Sequence, residues 1–186
     1  GAVLRGDGPR HAARPAAADA VLQFWFEELT PADWFRKDPS LDQRMAQRFG
    51  STLAAAARCE LFHWRGSARG RLAEVLVLDQ CSRNLHRDTA AAFANDALAL
   101  ALAQEAVARG CDRELSVPER VFLYLPWMHS ESALLHEQAL QLFATPGMEK
   151  NLEFEHLHKA IIDRFGRYPH RNDALGRIST PEEIEF

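Results

Sequence analysis

Asp79 and Arg83 stand four residues apart, the spacing that brings two side chains onto one helix face. Asp79 also extends an apolar stripe, Leu72, Val75 and Leu76, by one more turn. A carboxylate on a face destined for the interior is costly unless it is paired. The pair therefore reads as a structural salt bridge, or as a site where Asp79 orients a partner or handles a proton. Asn84 closes the same polar stretch.

A similar conflict recurs at 149–165, where Phe154, Leu157, Ile161, Ile162 and Phe165 form one face and His158 lies among them. His158 is either a core histidine with satisfied nitrogens or a catalytic or ligand group. Downstream, Arg164, Arg167, His170, Arg171 and Asn172 crowd a loop with Gly166 and Pro169. Guanidinium forks in such a loop suit a carboxylate or phosphate, and also suit capping and pairing with acids such as Asp79. The third candidate is the segment from Tyr124 to Glu131. His129 is expected just before a helix N-terminus, where the dipole favours a neutral imidazole that can act as a base. Glu131 in the first turn would compensate the same dipole.

Several chemistries are missing. His136-Glu137 begins like a zinc-binding HExxH motif, but position 140 is Leu. No phosphate-cradling P-loop, GxGxxG turn or GxSxG elbow occurs. Cys59, Cys81 and Cys111 form no CxxC pair, which argues against a disulfide framework or a Cys-based zinc site and fits a reducing cytosol. No metal ligand set is assigned and any cofactor is unknown.

The elements that must position these residues are helices. Asp38-Pro39 and Thr30-Pro31 place a capping residue before a proline at the first helical position. Ser116 with Glu119 and Thr180 with Glu183 have capping-box spacing, and Ser130 is read as the cap of a helix starting at Glu131. Gly110 and Gly166 follow long helical patterns as stops. Helices are expected near 16–29, 39–57, 68–82, 90–109, 117–125, 131–144 and 149–165, with a short one after 180. Short connections give antiparallel neighbours, so the fold is all-α, a single-domain antiparallel bundle of about eight helices. Residues 1–15 read as a flexible arm and 16–186 as the domain. The composition, 47% hydrophobic and 26% charged in 186 residues, is that of one ordinary globular domain. A net charge of −4 carries no nucleic-acid signal, and no apolar run is long enough to span a bilayer or to form a secretory leader, so a cytoplasmic location is expected.

Several blocks also resemble a known family. They are Val21 to Phe26, Asp33-Trp34-Phe35, Arg69 to Ala73, Leu78-Asp79-Gln80 with Arg83-Asn84, Phe122 to Pro126 with His129-Ser130-Glu131, Arg164 to Asn172, Gly176-Arg177 and Ser179 to Glu183. Over roughly residues 20 to 186 the chain resembles the bacterial domain-of-unknown-function family nine-twenty-four. The resemblance implies an all-helical fold grouped with the tetratricopeptide-like superfamily, and no established activity. The family pattern Asp-Gln-Phe-Pro-Arg-Asn is here Asp79-Gln80-Cys81-Ser82-Arg83-Asn84, which keeps the polar residues and argues against Cys81 as a family nucleophile.

The matching blocks contain the awkward polar residues. Asp79, Arg83, His129, Glu131, His158, His170, Arg171 and Asn172 are therefore expected around one pocket, with Asn84, Tyr124 and Arg164 as further ligand-binding candidates. Three functions follow. A binding module would hold an anionic small molecule or peptide against Arg83 and Arg171. A hydrolase or lyase would use His129 or His158 as base, oriented by Asp79 or Glu131, with metal assistance an open variant. A structural or interaction domain would instead expose Trp25, Phe26, Trp34 and Phe35 as a docking patch. The oligomeric state is open.

Overall fold

A computed structural model describes residues 16–186, so the arm expected over 1–15 lies outside the described residues. Helix starts follow the capping chemistry. The Asp38 carboxylate accepts from the amides of Ser40 and Leu41 and opens α3, Pro39–Ala57. Reciprocal capping boxes open α2 (Pro31–Trp34) at Thr30, α7 (Val117–His129) at Ser116 and α11 (Pro181–Glu185) at Thr180. The first helix, α1 (Ala18–Gln23), runs on into a π-helical turn, Phe24–Glu28. The expected 68–82 helix is α4 (Ala68–Leu76), a second π-helical turn (Val77–Cys81) and α5 (Ser82–Leu85) in unbroken succession. Then come α6 (Asp96–Ala108), α8 (Ala133–Leu142), α9 (Glu149–Phe165) and α10 (Asn172–Leu175). Gly110, Gly166 and Gly176 take positive φ at helix ends, where a side chain would be strained. Among the described residues there is no strand.

Two helices form the centre. Every residue from Leu72 to Ser82 and from Val121 to Met128 is buried, and a helix apolar on all sides belongs inside. α4 packs against α1, α6 and α7, while α7 also packs against α8 and α9. This central position explains one departure from expectation. Proline usually ends or kinks a helix, yet α7 continues through Pro126 to His129, held on all sides by its neighbours. His129 is therefore the last residue of a helix and does not precede one. α8 correspondingly starts at Ala133, and the Ser130 hydroxyl accepts from the Ser132 amide in the loop between them.

The aromatic residues of the N-terminal blocks close one flank. Trp25, Phe26 and Trp34 all meet the Phe122 ring edge-on, and Trp25 is 1% exposed. Only Phe35 of the suggested docking patch faces solvent.

Candidate functional site

The π-helical turn between α4 and α5 widens the helix where Asp79 sits; such turns are frequent at functional sites. Asp79 is completely buried. Its Oδ1 accepts from Arg83 Nη1 at 3.1 Å and contacts His129 Nδ1 at 2.7 Å, and its Oδ2 accepts from Gln80 Nε2 at 3.0 Å. Burial alone would push the Asp79 carboxyl up, but the charges of His129 and Arg83 outweigh it and hold it at about 2. The carboxylate can only accept, so His129 Nδ1 carries the hydrogen and Nε2 is left with its lone pair. Burial, and then the Arg83 charge, lower the His129 pKa against the opposing pull of Asp79. The carbonyl end of α7 opposes this by about 0.3–1 kcal/mol in favour of a cation. At neutral pH the arrangement is a carboxylate orienting a neutral imidazole. Nε2 makes no hydrogen bond among the described residues, and it is not one of the sealed polar atoms, which are Trp25 Nε1, Glu155 Oε1 and Arg171 Nε.

The turn carrying His129 is fixed from three directions. Helix C-termini leave carbonyls without intrahelical partners, and here three successive ones are taken by side chains. Tyr168 Oη donates to Met128 O, Arg171 Nη2 donates to His129 O at 2.9 Å, and His136 Nε2 lies 2.6 Å from Ser130 O. His136 in turn meets Glu155 Oε2 at 2.7 Å through Nδ1, with both side chains completely buried. Ser130 O can only accept, so His136 Nε2 carries a hydrogen and the His136–Glu155 contact shares another. Sequence reasoning missed this pair. The available signal was that Glu155 falls seven residues from both Met148 and Ile162, the stripe of α9 that is actually buried.

Arg171 is the anomaly of the site. It is 6% exposed, lies over the Phe93 and Tyr168 rings at 4.6 and 4.7 Å, and among the described residues its side chain makes a single hydrogen bond, to His129 O. A guanidinium has five N–H donors, and buried donors are normally satisfied. Its nearest carboxylate oxygen, Asp96 Oδ2, is 3.7 Å from Nη1, while Asp96 is already bonded by Arg83 at 2.7 and 3.0 Å. Arg171 lines a cavity of about 370 Å³ together with Phe93, Asp96, Leu100, His129, Ser130 and Glu131. Glu131 is engaged elsewhere: Arg177 grips it at 2.8 and 3.0 Å and the Tyr168 amide donates to it. Around the cavity Asp79, Asp96 and Glu131 balance Arg83, Arg171 and Arg177. Arg171 thus stands out through unused donors and not through excess charge.

His158 belongs to a neighbouring space. It lines a second cavity of about 280 Å³ with Phe35, Leu125, Met128, Phe154 and again His129, and its Nδ1 donates to Phe154 O at 2.7 Å. His170 is exposed and tilts onto the Tyr168 ring. The other candidates are held away from both cavities. Asn84 bonds Asp42 beside Arg87, and the Tyr124 hydroxyl bonds Asp112 at 2.6 Å. Arg164 lies over Phe165 and Phe186 on the surface, and Asn172 ties Ser179 to Arg177. Arg177, not singled out as a site residue from sequence, is the partner that fixes Glu131. Neither Cys81 nor Ser130 is an activated nucleophile: Cys81 is buried, with its thiol pushed up to about 12, and Ser130 makes no bond to His129. Among the described residues no group of three or more His, Cys, Asp or Glu could hold a metal ion.

A family model described as a bacterial protein of unknown function (DUF924) matches residues 21–186. The chain is also similar to the solved structure of a protein of unknown function from Agrobacterium tumefaciens. The two are 41% identical over 90% of this chain and 94% of that one, with a TM-score of 0.85. No curated protein matches.

Proposed function

Because the chain belongs to the bacterial family DUF924, whose description carries no activity, its function has to be read from the site, and we propose that it binds a small carboxylate in the Arg171 cavity. The observation that carries this reading is the single hydrogen bond of a buried arginine that lines an open space. A donor left unpaired in the interior costs about 1–3 kcal/mol. The donor that bears this cost is the sealed Nε, whereas Nη1 is not sealed and is the donor that a carboxylate would take in a charge-assisted bond. The cavity, about 370 Å³, falls in the range of small-molecule sites, and its mixture of apolar wall with few polar groups is typical of them.

Thermal-shift measurements with pyruvate, 2-oxoglutarate, succinate and phosphate test the reading. A ligand at 100 times its Kd stabilises the fold by about 2.7 kcal/mol, which is roughly 5–10 °C in Tm for a chain of this size. Arg171→Lys, which keeps charge but loses the fork, is expected to weaken the shift, and Arg171→Met to abolish it. A flat response of the natural chain, or a shift that survives Arg171→Met, would overturn the proposal. A second reading, acid–base chemistry on the bound ligand, is favoured by the Asp79–His129 contact.

A further inference from the structure

Resting on that binding site, we propose that the cavity is also catalytic, with His129 Nε2 as the base that removes a proton from the carbon next to the keto group of a small 2-oxo acid. Four features point this way. The bare nitrogen of His129 is held in one tautomer by Asp79 Oδ1, 2.7 Å from Nδ1, and has no partner among the described residues. The backbone carbonyl of His129 accepts from Arg171 Nη2 at 2.9 Å, which ties the residue that carries the base to the anion-binding residue, and both line one cavity. Neither Cys81 nor Ser130 is activated as a nucleophile. The rest of the lining is largely apolar, with Ala90, Phe93, Ala97, Leu100 and Leu175.

The step balances without a co-reactant. The carboxylate and keto oxygens of the 2-oxo acid face the Arg171 donors. The C–H bond at the adjacent carbon breaks, its proton passes to His129 Nε2, and its electron pair moves into the enolate, whose oxygen is stabilised by Arg171. Return of a hydron from Nε2 to the carbon or to the enolate oxygen restores the neutral base. The groups facing His129 are Asp79 and Arg83 at the π-helical turn and α5, Asp96 on α6, Arg171 ahead of α10, and His158 across the second cavity.

The test is deuterium wash-in. Pyruvate, 2-oxobutyrate and 2-oxoglutarate are incubated with the full chain in D2O, and exchange at the carbon beside the keto group is followed by proton NMR above the buffer rate. Binding is measured in parallel by thermal shift. The expected result is exchange of at least one acid that binds, lowered about 10²–10⁴-fold in His129→Gln with its binding retained. Asp79 is a positioning residue, so Asp79→Asn is expected to change the pH profile of exchange as well as its rate. Binding that depends on Arg171 with no exchange, or exchange unchanged in His129→Gln, overturns the catalytic inference and leaves the binding site standing. Absence of Arg171-dependent binding overturns both.

Discussion

Replacing Asp79 by Asn removes one charge from the interior while leaving its shape. The carbonyl oxygen of Asn can still accept from His129 and Arg83, and Arg83 keeps both of its bonds to Asp96. What changes is the ionic part and one contact: the new amide faces Gln80 Nε2, a donor that bonds Asp79 Oδ2 in the natural chain. The magnitude follows from linkage. In acid, where His129 is charged, the Asp79 carboxyl is held at about 2 against an ordinary value of 3.8. With His129 neutral at pH 7 the charge of Arg83 and the hydrogen bonds remain, and the stabilisation there is at most roughly 2 kcal/mol. Because the folded pKa is depressed, this stability is present above about pH 4 and is lost as the pH falls towards 2. Asp79→Asn should therefore unfold with a Tm lower by up to roughly 8 °C at pH 7, and the gap should narrow at pH 3. Thermal melts followed by circular dichroism at pH 7, 5 and 3 measure it. Other depressed acids such as Glu183 and Glu131 titrate in both proteins and cancel in the comparison. No gap at pH 7, or a gap of equal size at pH 3, would refute the assignment of Asp79 as the buried anion of the site.

Two further substitutions probe the frame. Gly70→Ala would place a Cβ 1.9 Å from Trp64 O and 2.9 Å from Trp64 C, both backbone atoms that no rotamer change can move. A loss of about 3 kcal/mol is expected in urea melts, and a change below about 0.5 kcal/mol would contradict the packing of α4 on the Phe62–Gly66 turn. Tyr168→Phe removes the donor to Met128 O and leaves a buried carbonyl unpaired. The expected cost is about 1–3 kcal/mol, and a neutral result would show that the turn carrying His129 is not held this way.

The helical frame was legible because its signals are local. Asp38-Pro39, Ser116 with Glu119, and Gly166 each act within a few residues, and the helices begin or end there. Asp79 with Arg83 was likewise legible, since a helix face is a matter of spacing. What was lost is tertiary. The rule that proline stops a helix failed at Pro126 because α7 is buried on every side, and that error put His129 at the wrong end of a helix. On α9, hydrophobicity favoured the face of Phe154 and Leu157, which are 52% and 64% exposed. The buried stripe instead holds Glu155, tolerated there only because His136 arrives from another helix. The π-helical turn at Val77–Cys81 has no periodicity of its own to announce it. Arg171 and Arg177 could be named as part of a basic loop, but which of them lacked a full set of partners depended on Asp96 and Glu131 from distant elements.

The central claim is that a buried arginine with unused donors and a neutral, oriented histidine share one ligand cavity. Nitrogen-15 NMR of the labelled chain at pH 7, titrated with pyruvate, tests it most directly. The account predicts that His129 is protonated at Nδ1 alone and that the Arg171 guanidinium signals move saturably as ligand is added. An imidazolium or an Nε2-protonated His129, or Arg171 signals that stay fixed at saturating pyruvate, would contradict it.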